Sequence, residues 1–190
     1  KVIVGRVETP VGVLFIKRYN VFAARVALAN VGRLSPALRA GRNAARLAGL
    51  GFAVPTVVAA VEERRAGLLR RSFFVTRAAA GATADGWWQG APATARRQAA
   101  AAAGDLFRRL HLAGVYHADL KDVNLLVHGT DGRLEWTLLD LERVRFGGVR
   151  TRHRLLNVTQ IARTLGRQAS RADRLRFLRA YLGPDADLEQ

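Results

Sequence analysis

An aspartate and an asparagine five residues apart, in His117-Ala-Asp-Leu-Lys-Asp-Val-Asn124, form the pair in this chain best suited to chemistry. On a short irregular loop, Asp119 and Asn124 can face one cavity, the carboxylate taking a proton from a substrate hydroxyl and the amide oxygen binding a divalent cation. Lys121 lies between them. A fixed cation there neutralises charge on a phosphoryl group in transfer, a reaction catalysed mostly by positioning and electrostatics. Sixteen residues beyond Asn124, Asp140 stands in Leu138-Leu-Asp-Leu-Glu142. A carboxylate leaving the second strand of a hairpin returns beside the loop that began the first, so Asp140 and Asn124 are expected to hold magnesium together. His117 is expected to brace the loop by hydrogen bonding rather than to act as a base.

The elements that must position these groups can be read from patterning. Residues 1–7 and 11–19 are rich in Val and Ile with Glu8-Thr-Pro between them, which predicts an antiparallel hairpin. Ser35-Pro36 is an N-cap with proline in the first turn, and Gly49 and Gly51 close the segment, predicting a helix over 36–48. Strands are expected over 52–60 and 68–76 with Glu62 to Gly67 as their turn. A helix over 91–113 is expected, with Leu106, Phe107 and Leu110 on one face. The hairpin strands are 125–128 and 134–139, turning through Gly129-Thr-Asp-Gly132, and helices over 152–165 and 172–182 follow. Ser170 and Asp173 predict a capping box for the last of these. Trp87 and Trp88 more often cover a core edge than stack on a sugar or base.

In order along the chain, Val115-Tyr-His-Ala-Asp-Leu-Lys121, Leu138-Leu-Asp-Leu-Glu-Arg143 and Arg176-Phe-Leu-Arg-Ala-Tyr-Leu182 resemble the bacterial lipopolysaccharide kinases, a branch of the protein-kinase fold that phosphorylates inner-core heptose or Kdo sugars. The resemblance runs from about Gly12 to Leu182. It implies an α+β, protein-kinase-like two-lobed fold, with a small antiparallel N-lobe sheet and one helix over residues 1–77, and a reduced, mainly helical C-lobe over 78–190. It further implies ATP and Mg2+ as cofactors, Lys17 on the ATP phosphates, and backbone groups of Arg77, Ala78 and Ala79 around the adenine. Two departures stand out. No spaced glycine loop is visible around Gly5 and Gly12. The helix position that normally pairs the lysine with a glutamate falls near Ala40, with no acid anywhere between Glu8 and Glu62. Asp140, or Asn43 by hydrogen bonding, is expected to hold Lys17 instead. No Ala-Pro-Glu segment follows Asp140, so the peptide-docking platform of protein kinases is expected to be missing.

With 190 residues and 49% apolar composition the chain can bury a core. Its apolar runs are too short to span a membrane, and without cysteine it has neither disulfides nor thiolate metal sites. Since it begins with Lys1, it is expected to be a fragment lacking its true N-terminus, and the expected location is cytoplasmic, peripheral to the inner membrane. A net charge of +16 points to anionic partners. Only three of the 31 basic residues are Lys, so Lys17 and Lys121 are expected where a compact point charge is needed. Arg143, Arg145, Arg150, Arg152 and Arg154, with no acid among them, are the candidate acceptor-binding residues for an anionic glycolipid. A cytoplasmic membrane surface is a second candidate partner. Nucleic acid is not expected, because no binding motif or interleaved aromatics accompany the charge. The alternatives are a pseudokinase or nucleotide-binding scaffold and, less well supported, a small protein kinase.

Overall fold

In the computed structural model, residues 2–130 and 133–183 are described, and they form two compact units, each with its own core. The first comprises residues 1–79 and 140–143, and the second 80–139 and 144–190.

A four-stranded antiparallel sheet in the order β1-β2-β4-β3 forms the first unit, with β1 at Val2–Thr9, β2 at Gly12–Asn20, β3 at Val57–Arg65 and β4 at Leu68–Arg77. The expected hairpin is present. β3 departs from expectation: it starts five residues later and runs through Glu62 to Arg65, so the turn shrinks to Ala66 and Gly67, both at positive φ. Cross-strand pairing of Glu63 with Arg71 and the Glu62 to Arg64 ion pair keep these charges on the strand. A short helix α1, Ala24–Ala29, precedes α2, Pro36–Gly49. α2 begins as its sequence dictates, Ser35 Oγ accepting the Leu38 N–H at 3.3 Å. Its inward positions are small, Ala37, Ala40 and Ala44, all fully buried. Those alanines let the helix lie close to the sheet, and the rings of Tyr19 and Phe74 complete that core.

The second unit contains a three-stranded sheet in the order β5-β7-β8 (Ala82–Thr83, Leu125–Thr130, Arg133–Leu138) and a two-stranded ribbon of β6, Val115–His117, with β9, Val144–Phe146. The expected turn at 129–132 falls partly outside the described residues. Four helices complete the unit: α3 (Ala84–Gly90), α4 (Ala93–Leu112), α5 (Thr151–Arg163) and α6 (Arg171–Leu182). The tryptophan pair lies in α3, not in a turn, and Trp88 is core at 2% exposure. α6 opens with the expected capping box, Ser170 and Asp173 bonding each other's backbone N–H. α4 packs on α6 through Phe107 and Phe177, edge to face at 5.3 Å, and through Gly104.

Gly104 allows that approach, because a Cβ there would sit 2.3 Å from the Phe177 carbonyl oxygen and 2.9 Å from Ala180 Cβ. Backbone cannot swing aside as a flexible side chain can. Gly104→Ala should therefore lower stability by about 1 kcal/mol or more, the clash outweighing the roughly 1 kcal/mol of helix propensity gained. Gly49→Ala, where a Cβ meets nothing within 4 Å, is the control and should leave the thermal midpoint unchanged or raised.

Candidate active site

The chemistry-bearing loop sits at the end of β6, in the second unit. His117 is 1% exposed. Its Nε2–H donates to the Leu139 carbonyl at 2.7 Å, and its Nδ1 accepts the Asp119 N–H at 3.2 Å. Both ring nitrogens are therefore used, the imidazole is a neutral Nε2–H tautomer, and His117 is a brace as its context predicted. Asn124 ends a 3-10 turn, Asp122–Asn124. Its Nδ2 donates to the Asp119 main-chain oxygen at 2.8 Å and to Asp119 Oδ2 at 3.2 Å. With the amide nitrogen turned to Asp119, Oδ1 of Asn124 makes no hydrogen bond among the described residues and is the atom that suits a hard cation. Lys121 Nζ lies 3.3 Å from the same Asp119 Oδ2, on a side chain 40% exposed. Asp119 Oδ1 makes no hydrogen bond to a side chain among the described residues. Backbone bonds fix the segment's course, Lys121 N–H to Asp119 O at 3.1 Å and Leu139 N–H to Asn124 O at 2.9 Å.

Lys17 and Asp140 belong to the first unit. Lys17, on β2, places its ammonium on Asp140 Oδ1 and on Glu142 Oε1, the latter at 2.9 Å. Asp140 was the expected partner; Glu142 was not. The expectation that Asp140, or Asn43, holds Lys17 is corrected to a pair of carboxylates, because a 3-10 turn, Leu141–Arg143, brings Glu142 back two residues after Asp140. Asn43 bonds that turn, its Nδ2 donating to Leu141 O at 2.7 Å. Asp140 itself has φ +59°, a left-handed conformation that an aspartate tolerates better than most side chains but that still stores strain. The space near Ala40, where a helix carboxylate would stand, is filled by the Tyr19 ring, whose centroid lies 5.4 Å from Lys17 Nζ.

Electrostatics follow the geometry. Burial alone would pull the Lys17 pKa down, but the bonds and charges of Asp140 and Glu142 outweigh it and hold the pKa above 10.5. The Tyr19 phenol is pushed far up, first by burial and then by the Glu142 and Asp140 carboxylates, so it stays protonated.

Main-chain N–H groups of Arg77 and Ala78 are already spent, on Thr56 O and Val13 O, both at 2.9 Å. A nucleotide base would have to use other backbone groups of residues 77–79. The five arginines are divided between the two units. Arg143 belongs to the first unit. Arg145 stands opposite Tyr116 in the β6–β9 register. His153 stacks on Tyr116 at 4.6 Å and receives Arg152 Nε–H at 3.4 Å. Its pKa is lowered by burial and then by the charges of Arg152, Arg150 and Arg145. Arg154 faces elsewhere, beside Tyr181 and His111.

The chain matches the Lipopolysaccharide kinase (Kdo/WaaP) family over residues 33–181. It belongs to that family. A solved structure described as WaaP in complex with acyl carrier protein is similar to it with a TM-score of 0.72 and 23% identity, covering 94% of this chain and 73% of that one. No match was found among curated proteins. The α+β protein-kinase-like fold is shared with that structure, and family membership makes this lipopolysaccharide kinase a phosphotransferase that uses ATP.

Raised above its unfolded value, the Lys17 pKa contributes stability that is fully present below about pH 10.5 and is lost as pH rises through the folded pKa. Glu142→Gln removes one of the two carboxylates, lowers that folded pKa, and should move the alkaline loss to lower pH. Urea midpoints from about pH 8 to about pH 11 test this. Parallel curves for the two proteins would mean that Glu142 does not share the ammonium.

Proposed function

We propose that this member of the family transfers the γ-phosphoryl group of ATP to a hydroxyl of an inner-core heptose or Kdo sugar, at the cytoplasmic face of the inner membrane. The observation that carries the reading is the Asp119 carboxylate, whose Oδ2 is held by Asn124 and Lys121 while Oδ1 is left to take a proton. In this mechanism the acceptor O–H gives its proton to Asp119 as its oxygen forms the new bond to phosphorus, and the bond to the departing diphosphate breaks. Lys121 offsets negative charge beside the transferred group. Lys17 holds ATP phosphates. Asn124 and Asp140 would hold Mg2+, a hard cation that suits carboxylate and amide oxygens; when bound it supplies charge neutralisation at the phosphates. No group of three or more metal-ligating side chains gathers among the described residues, so nucleotide oxygens are needed to complete that shell. Glu142 favours an enzyme over a pseudokinase, because the lysine keeps a carboxylate partner without a helix glutamate. Arg145, Arg150 and Arg152 are the groups best grouped to bind the acceptor's phosphate or carboxylate, and Arg154 is the least suited.

Asp119→Asn should lower turnover by about 100-fold or more on purified lipopolysaccharide while leaving the ATP dissociation constant within about twofold. Equal turnover would remove Asp119 from the mechanism. Acceptors ending in heptose or in Kdo, compared by mass spectrometry of the product, decide the sugar.

A second ligand is favoured by a separate observation. An apolar cavity of about 210 Å3 in the second unit is lined by Trp88, Ala103, Ile161, Leu165 and Phe177, and this chemistry suits an acyl chain, a reading supported by the similar structure's description as WaaP in complex with acyl carrier protein. A fluorescent fatty acid should bind to the protein and fail to bind Ala162→Phe, a substitution at an exposed position of the cavity lining. Binding undiminished in the variant would place the acyl chain elsewhere.

A further inference from the structure

Two amide side chains on α5, one turn apart, are wired into the backbone of the chemistry-bearing loop. Asn157 is fully buried. Its Nδ2 donates to the His117 carbonyl at 2.6 Å and to Gln160 Oε1 at 3.2 Å. Gln160 in turn donates from Nε2 to the Ala118 carbonyl at 3.2 Å and accepts the Leu120 N–H on Oε1 at 3.2 Å. The main-chain polar groups on both sides of Asp119 thus end on side chains and not in a strand or helix ladder.

Each must donate to a carbonyl and accept from an N–H at once, and an amide does so from two ends held in one plane at a fixed spacing. The orientation of Asn157 is fixed from behind. Its Oδ1 faces His111 Nε2 at 3.1 Å, which places the ring proton on Nε2, and His111 Nδ1 accepts from the Tyr181 hydroxyl at 2.9 Å. The network therefore runs from α6 through α4 and α5 into the loop, and every one of its polar groups named here has a partner. A saturated buried network of this kind admits one geometry, because each alternative leaves a donor or acceptor orphaned at a cost of about 1–3 kcal/mol.

We infer that Asn157 and Gln160 are positioning residues that hold the Asp119 carboxylate in place, with His111 and Tyr181 setting the Asn157 amide. The inference rests on the role proposed for Asp119. Gln160 is half-buried, so it can be changed without emptying the core, and it carries the test. Gln160→Met removes all three of its bonds to the network. Gln160→Glu keeps the acceptor for Leu120 and Asn157 but loses the donor to Ala118.

Two readouts are needed on the folded full chain: hydrogen exchange at the Leu120 amide, and kcat and KM for ATP with purified lipopolysaccharide as acceptor. Gln160→Met should speed Leu120 exchange and lower kcat by about tenfold each, with KM for ATP within about twofold of the parent. Gln160→Glu should retain Leu120 protection and lose less of kcat. Unchanged Leu120 exchange in Gln160→Met overturns the inference whatever the activity. Faster exchange with undiminished kcat overturns it too, and there Asp119→Asn tells whether the chemistry of the loop was itself misassigned.

Discussion

One ammonium between two carboxylates governs the first unit. Lys17 is largely buried, its side chain only 18% exposed, and a charge so placed is tolerated only when it is paired. Asp140 supplies one partner and Glu142 the other, and both come from a segment otherwise distant in sequence. That pairing, with the Asn43 bond to Leu141, accounts for why residues 140–143 fold with the sheet and α2 and not with the strand they leave. It also gives a use to the left-handed backbone at Asp140: the reversal there returns Glu142 to the lysine. In the absence of a helix carboxylate, α2 can be lined by alanine and lie close to the sheet, with Tyr19 occupying the freed volume.

The second unit solves its positioning problem with neutral groups. Its loop is held by one imidazole and three amides, from His117, Asn124, Asn157 and Gln160, and each of the four makes at least one hydrogen bond to the main chain of the loop or its flanks. Neutral donors keep their strength when buried and do not compete with the Asp119 charge. Under the proposed mechanism the two devices divide the work: ion pairs hold the lysine assigned to the phosphates, and amides hold the carboxylate assigned to the proton.

Local signals were legible in the sequence. Ser35-Pro36 and Ser170 with Asp173 marked helix starts because capping is decided within four residues, and the alternating Val and Ile marked the first hairpin. The meeting of Asp119 and Asn124 was legible because the two stand five residues apart on one short loop. Glu142 was not, although it lies two residues past Asp140. Its role depends on a positive φ and a 3-10 turn that no residue type announces. Asn157 and Gln160 were hidden for a different reason, since a polar residue on a helix looks solvent-facing until the helix is placed. β6 and β9 are three residues each, too short for periodicity to speak. The arginine run read as one patch only because sequence order was taken for proximity, whereas the helical twist of α5 sends Arg152 and Arg154 to different neighbours.

The near replacement of lysine by arginine has a practical side. Besides its amino terminus the chain offers three primary amines, at Lys1, Lys17 and Lys121. Guanidinium groups do not react with acylating reagents at neutral pH, so the background to amine labelling is almost blank. Of the two lysines in the described residues, Lys17 is the more enclosed, between two carboxylates, while Lys121 is 40% exposed beside one. Covalent modification thus becomes a two-channel reporter native to the protein, one channel reading the sheet and the other the loop, with no cysteine to be engineered in or removed.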